Sequence, residues 1–320
     1  MIRNTLPAMS ARAQFRDWLY RWLVIAATAV VTGIGLFVIR VSVDDQFLLK
    51  ASIIVLVALG TGLVFRTLAS RIRSLTFVLS ACAEFFFSVG QMLAFFAVCI
   101  LLTYAAAAAS LPLMDDVFLR LDAAMGFRWE DANAWFHRHP TLQTLLWVAY
   151  LSSAVQLITL FYIHCTREPR EGSGELIWLY MVSLLIVTAF SAILPASAKP
   201  GMIGQHHIDV FLAARNSSVA VLDETKLSGI VQFPSFHAAA AVILIYSARA
   251  MKWLLAVLAP LNVLAIVATV PCGGHYLVDT IAGLAVAAIS ILIVRTIRRA
   301  IVARESSNTA ARRADGRAKA

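Results

Sequence analysis

Long apolar stretches separated by short polar or basic connections are the dominant regularity of the chain. A helix needs roughly 20 predominantly apolar residues to cross the hydrocarbon of a bilayer. Stretches of this kind run from Trp22 to Ile39, Phe47 to Phe65, Phe77 to Ala109, Leu142 to His164, Leu176 to Ala196, Pro234 to Ala248, Trp253 to Pro271 and His275 to Val294. The pattern predicts an all-α fold, a polytopic transmembrane helical bundle of about eight spans, because helices alone satisfy their backbone within one apolar segment. The third stretch is long enough to tilt or to run on along the interface, and the sixth is the shortest. Residues 1–21 form a basic segment ahead of the spans, residues 22–299 a polytopic membrane domain, and residues 300–320 a basic tail whose polar composition predicts disorder.

Basic residues set the expected orientation. Arg3, Arg12, Arg16 and Arg21 precede the first span, Arg66, Arg71 and Arg73 follow the second, Arg167 and Arg170 the fourth, and Arg249 and Lys252 the sixth. The tail from Arg295 to Lys319 falls on that same face, whereas the other face holds only scattered cations. The positive-inside rule then predicts cytoplasmic N- and C-termini in a bacterial inner membrane. The first apolar stretch is too long and too late for a signal peptide and reads as an uncleaved anchor.

Composition agrees with a membrane setting: 60% hydrophobic and 14% charged residues, with a mean hydropathy of +0.80, exclude an ordinary soluble globular domain. The net charge of +9 reports topology and contact with anionic lipid rather than nucleic-acid binding. Cys82, Cys99, Cys165 and Cys272 are spaced along spans or fall on opposite faces, so no disulfide is predicted. Between the spans, Met114 to Met125 places Val117, Phe118, Leu121 and Met125 at helical spacing among Asp115, Asp116, Arg120 and Asp122, an amphipathic piece for the headgroup layer.

The chemistry concentrates at two span entrances. Phe233-Pro234-Ser235-Phe236-His237 opens the sixth and Gly273-Gly274-His275-Tyr276-Leu277-Val278-Asp279 the eighth, so one intervening span puts both histidines on the same, external face. His275 and Asp279 stand one helical turn apart, which sets a carboxylate beside an imidazole. A carboxylate that accepts from one ring nitrogen leaves the other free to attack phosphorus. His237 is placed to protonate the departing oxygen. Gly274, Ser235 and Phe236 lie at two helix starts, where backbone N–H groups and the helix dipole attract phosphate oxygens. Lys199, after the fifth span, can add a cation; Arg215, His206 and His207 are further candidates for substrate contact. Glu84, inside the third span but toward its cytoplasmic end, reads as a buried, hydrogen-bonded packing residue. No metal and no cofactor are called for, although Cys272 beside His275 and Asp279 gives a weak zinc alternative.

Pro234-Ser235-Phe236-His237 and His275-Tyr276-Leu277-Val278-Asp279 resemble the second and third signatures of the membrane phosphatidic acid phosphatase type 2 and vanadium haloperoxidase superfamily. The resemblance covers Leu194 to Arg299 and implies a six-helix catalytic core, with His275 as phosphoryl-accepting nucleophile, Asp279 as its orienter and His237 as acid. Gly-His-Tyr before the aspartate, and the aspartate-rich segment ahead of the fourth span, are similar to the subgroup containing inositol-phosphorylceramide synthases. Departures are Lys199-Pro200 with no upstream lysine, Thr269 where an arginine is usual, and Phe236 where a glycine is usual.

The reading is a lipid phosphotransferase that moves a headgroup phosphate to a lipid hydroxyl through a phosphohistidine on the extracytoplasmic side. Its partners are membrane lipids: a phospholipid donor, and a lipid alcohol or water as acceptor. A lipid phosphate or prenyl pyrophosphate phosphatase is the nearest alternative, and a non-enzymatic lipid carrier or transporter the alternative of another class. A transporter would be expected to carry inverted repeats, and none is visible.

Overall fold

The computed structural model describes residues 10–109, 111–167, 171–197, 205–216, 221–222 and 229–318. The described residues form twelve α-helices: α1 (Ala11–Val38), α2 (Asp45–Arg71), α3 (Thr76–Ala108), α4 (Asp115–Ala124), α5 (Trp129–His137), α6 (Pro140–Leu151), α7 (Ser153–Thr166), α8 (Glu171–Ile193), α9 (Gln205–Arg215), α10 (Phe236–Ala248), α11 (Lys252–Ala268) and α12 (Leu277–Ala318). One small parallel pairing, β1 (Ser42–Val43) with β2 (Val221–Leu222), ties the α1–α2 connection to the chain beyond α9. The all-α expectation therefore holds.

Among the described residues five helices are long and apolar enough to cross a membrane: α1, α2, α3, α8 and α12. The bent pair α6 and α7 makes a sixth if read as one span, with a 42° change of direction at Ser152. At the sixth and seventh expected spans stand α10 and α11, of 13 and 17 residues, short of the roughly 20 a full crossing takes. α12 continues as helix to Ala318, where composition predicted a disordered tail.

Why the bundle packs as it does is written in its small residues. α10 begins Phe-His followed by four alanines, and Ala238 to Ala241 are all buried. This lets α8, α11 and α12 approach closely around it. The central core joins Phe95 and Cys99 of α3, Leu160 and Phe161 of α7, Leu176 and Met181 of α8, Ile243 and Leu244 of α10, and Ala287 of α12. Gly283 of α12 lies against the Ser235 carbonyl so closely that a Cβ would collide with it.

The two ends of the bundle are polar in different ways. At one end Asp17 accepts from Trp178 Nε1 at 2.7 Å and pairs with Arg21 at 3.4 Å. Glu84 accepts from the Ser173 hydroxyl at 3.4 Å. Glu175 holds Arg249 at 3.1 Å, Arg298 at 3.7 Å and the Tyr246 hydroxyl at 2.9 Å. Desolvated charges persist only with such partners; Glu84, half-buried, stands at this end of the bundle with its hydrogen bond to Ser173. Arg298 lies 21 residues along α12 from Leu277, about 30 Å at the helical rise. The histidine motifs occupy the opposite end.

Candidate functional site

Two tight connections build the site: the segment running into α10, and the turn between α11 and α12. Ser235 caps α10, its hydroxyl accepting from Ala238 N at 3.4 Å. This is the N-cap role that serine fills well. The turn from Thr269 to Tyr276 closes because Cys272 N and Gly273 N both donate to the Ala268 carbonyl, at 2.8 and 3.4 Å, and His275 N donates to Thr269 O at 3.3 Å. Gly274 adopts φ 64°, a left-handed conformation that side chains disfavour. Gly273 is needed for space: a Cβ there would sit 2.5 Å from Thr269 O, 2.9 Å from His275 Cδ2 and 3.1 Å from the Tyr150 hydroxyl.

His275 and Asp279 meet, although His275 lies two residues ahead of α12 rather than on the helix that the spacing suggested. Nδ1 of His275 lies 3.3 Å from Asp279 Oδ2, with both residues buried. The same oxygen accepts from Tyr276 N at 3.0 Å and Gln232 Nε2 at 3.1 Å. Gln232 also donates to the Gly274 carbonyl at 2.9 Å, so one buried amide braces both the turn and the carboxylate. Asp279 Oδ1 is buried with no hydrogen-bond partner among the described residues. His275 precedes the last span, and burial pushes its imidazole down to about 4. The ring is therefore neutral near pH 7, with Nε2 as the nitrogen not engaged by Asp279.

The second histidine reaches the same place from α10. Ser235 N donates to the Asp279 carbonyl at 3.0 Å, which joins the two motifs through the backbone. His237 Nδ1 lies 3.0 Å from the Tyr150 hydroxyl, and the two rings stack with centroids 4.2 Å apart. Tyr150, near the end of α6, thus meets His237 through a hydroxyl that also lies beside Gly273.

The remaining candidates fall in several places. The Phe236 ring packs edge-on to Tyr180 at 5.8 Å, so only its backbone is available to a phosphate. Arg215 donates to the Leu111 carbonyl at 2.7 Å and lies over the Phe211 ring, which puts it at the α3–α4 connection rather than against the histidines. Lys199 lies outside the described residues. His206 and His207 sit on the first turn of α9, and their side chains are likewise outside them.

One expectation is corrected. The start of α12 does not present open N–H groups to an anion, because protein carboxylates already occupy them. Leu277 N and Val278 N each donate to Asp122 at 2.9 Å, and Tyr276 N donates to Asp279. Asp115 and Asp122 of α4 therefore face inward instead of lining the headgroup layer, while Asp116 is exposed. Asp115 accepts from the Tyr276 hydroxyl at 2.7 Å and from the Ser197 hydroxyl at 2.5 Å. Phe118 of the same helix stacks on Phe233 at 4.6 Å and meets Tyr276 edge-on.

Tyr150 and Gln232 escaped the sequence reading, which placed Asp115 and Asp122 only on the polar side of an amphipathic segment. The only local signal was their type: a glutamine two residues before Pro234, a tyrosine near the start of an apolar stretch, and aspartates seven apart on one helical face.

A helical, membrane-embedded bundle with a buried histidine–aspartate pair facing a second histidine defines the class. Residues 116–293 match the family model described as the PAP2 superfamily, and the chain belongs to that superfamily. Membership suggests a phosphatase or phosphotransferase. No curated protein and no solved structure matches the chain.

Proposed function

We propose that the protein is an integral membrane lipid phosphotransferase in which His275 carries the transferred group as a phosphohistidine. The observation that supports this most is the meeting of the His275–Asp279 pair with His237 around Gly273 and Tyr150. His275 Nε2 attacks phosphorus, and Asp279 stabilises the cation that develops on the ring. The P–O bond to the leaving group breaks as the N–P bond forms. His237 gives its Nε2 proton to the departing oxygen and later takes one from the incoming hydroxyl.

Donor charge favours a phosphodiester. Among the described residues the hydrogen-bond partners of His275 and Asp279 include Gln232, Ser235, Thr269 and Tyr276, none of them cationic. A diester brings one negative charge to such a surrounding, and a monoester brings up to two. Likeness of Gly274-His275-Tyr276 and the α4 aspartates to the inositol-phosphorylceramide synthase subgroup points to transfer onto a lipid hydroxyl. The distribution of arginines favours a site on the extracytoplasmic face, with both termini in the cytoplasm.

The test is purified protein in detergent with labelled phosphatidylinositol and either ceramide or diacylglycerol. A new labelled phospholipid that His275→Ala cannot make supports transfer. Rapid release of inorganic phosphate from monoesters or prenyl pyrophosphates, with no acceptor lipid ever labelled, replaces it with the phosphatase reading.

A further inference from the structure

The two histidines of the site are braced by chemically different partners. His275 Nδ1 faces a carboxylate, that of Asp279, at 3.3 Å. His237 Nδ1 faces a neutral phenol, that of Tyr150, at 3.0 Å, with the rings stacked. An anionic acceptor stabilises a cationic ring strongly, which suits a nucleophile that gains charge as it attacks. A neutral acceptor fixes the ring with far less stabilisation of its cation, which leaves the proton on Nε2 transferable.

Close to Tyr150 runs a polar chain that has no part in the chemistry described above and that ends on the Ala149 carbonyl, one residue away. Asn262 of α11 donates from Nδ2 to Gln156 Oε1 at 2.6 Å and to the Leu258 carbonyl at 2.8 Å. Gln156 of α7 donates to the Ser152 hydroxyl at 2.8 Å, and that hydroxyl donates to the Ala149 carbonyl at 2.7 Å. Ser152 is the break at which α6 and α7 diverge by 42°. Tyr150 and Ala149 lie two and three residues before it. Buried amide-to-amide contacts inside an apolar bundle are costly to build and to break, and this one ends at the turn that aims Tyr150.

We propose that Tyr150 is the positioning residue that makes His237 an acid, and that the Asn262–Gln156–Ser152 chain sets the helix break that holds Tyr150 in place. The proposal rests on the reading of His237 as general acid. In the acid form Nδ1–H donates to the Tyr150 oxygen and Nε2–H points to the leaving oxygen. After transfer the ring keeps its Nδ1 proton, so Nε2 is the nitrogen that recovers a proton from the acceptor hydroxyl.

Leaving-group dependence tests this. The 4-nitrophenyl and phenyl diesters of dodecyl phosphate differ in how much protonation their departing oxygen needs. Tyr150→Phe keeps the stacked ring and removes the oxygen. It should lower kcat/KM on the phenyl ester by about ten- to a hundredfold and leave the 4-nitrophenyl ester within about threefold. In a His237→Ala background it should add no further loss on the phenyl ester. Equal losses on both esters, or losses that multiply in the double variant, would overturn the role of Tyr150. The paired change Gln156→Leu with Asn262→Leu removes donor and acceptor together, and Ser152→Ala removes the hydroxyl alone should the pair fail to fold. Either should reproduce the Tyr150→Phe pattern, and a loss shared equally by both esters, or no loss, would overturn the role of the chain. If His237→Ala itself shows no preference between the esters, the acid reading fails instead, and the two failures are separable.

Discussion

The hydroxyl of Tyr276 donates to Asp115 at 2.7 Å, so the residue that follows the candidate nucleophile is anchored to a helix 161 positions earlier in the chain. Asp122, two turns further along α4, accepts from Leu277 N and Val278 N. The short helix α4 thus acts as an external N-cap for α12 and fixes the register in which His275 and Asp279 meet.

Asp122→Ala leaves two part-buried N–H groups unpaired and should cost about 1–2 kcal/mol of stability. Thermal denaturation in detergent measures the loss, and turnover should fall with it because the turn carrying His275 loosens. Asp116, exposed on the same helix, is the control, and Asp116→Ala should change stability by no more than about 0.5 kcal/mol.

How much of this was legible in the sequence follows from the range of each interaction. His275 with Asp279, and Ser235 as the cap of α10, are contacts between residues three or four apart in the chain, and spacing alone announces them. Tyr150 with His237 is 87 positions apart and Asp122 with Leu277 is 155. No periodicity encodes such pairs, which exist only once α6 and α4 have packed. Asp122 misled for the same reason: on an isolated amphipathic helix it looks solvent-facing, and only the start of α12 supplies the N–H groups that draw it in. The apolar stretches located the helices well. They did not reveal that α10 and α11 are short or that the fourth stretch breaks at Ser152, because hydropathy averages over both.

Gly273→Ala probes the crowding of the turn. The added methyl would lie 2.9 Å from His275 Cδ2 and 2.5 Å from Thr269 O, so the imidazole must shift. A displacement of that order should cut kcat by about a hundredfold in a protein that still folds. Gly60→Ala, where no atom lies within 4 Å of the new Cβ, should be silent in the same assay.

The protonation state of His275 sets the acid limb of the pH profile. Attack needs the neutral ring, and burial lowers its pKa to about 4, below the ordinary value of about 6.5. With the 4-nitrophenyl diester, which needs little help from an acid, kcat/KM should hold nearly level from about pH 7 to about pH 5 and fall only as pH approaches the lowered value. An acid limb centred near the ordinary histidine pKa would contradict the buried, neutral nucleophile.

Orientation is tested by labelling. In a background without the four native cysteines, a single cysteine at exposed Asn216 should react with membrane-impermeant maleimide in intact cells. One at exposed Ser307 should react only after lysis. The reverse pattern would put the histidine end in the cytoplasm.

The central claim is that the transferred group passes through His275, and a rapid-quench experiment with a phosphodiester lipid labelled at phosphorus addresses it most directly. The account predicts a protein-bound adduct that is labile to acid and stable to base, forms before product, maps to His275 by mass spectrometry and is absent from His275→Ala. Turnover with the label on another residue, or undiminished turnover by His275→Ala, would contradict it.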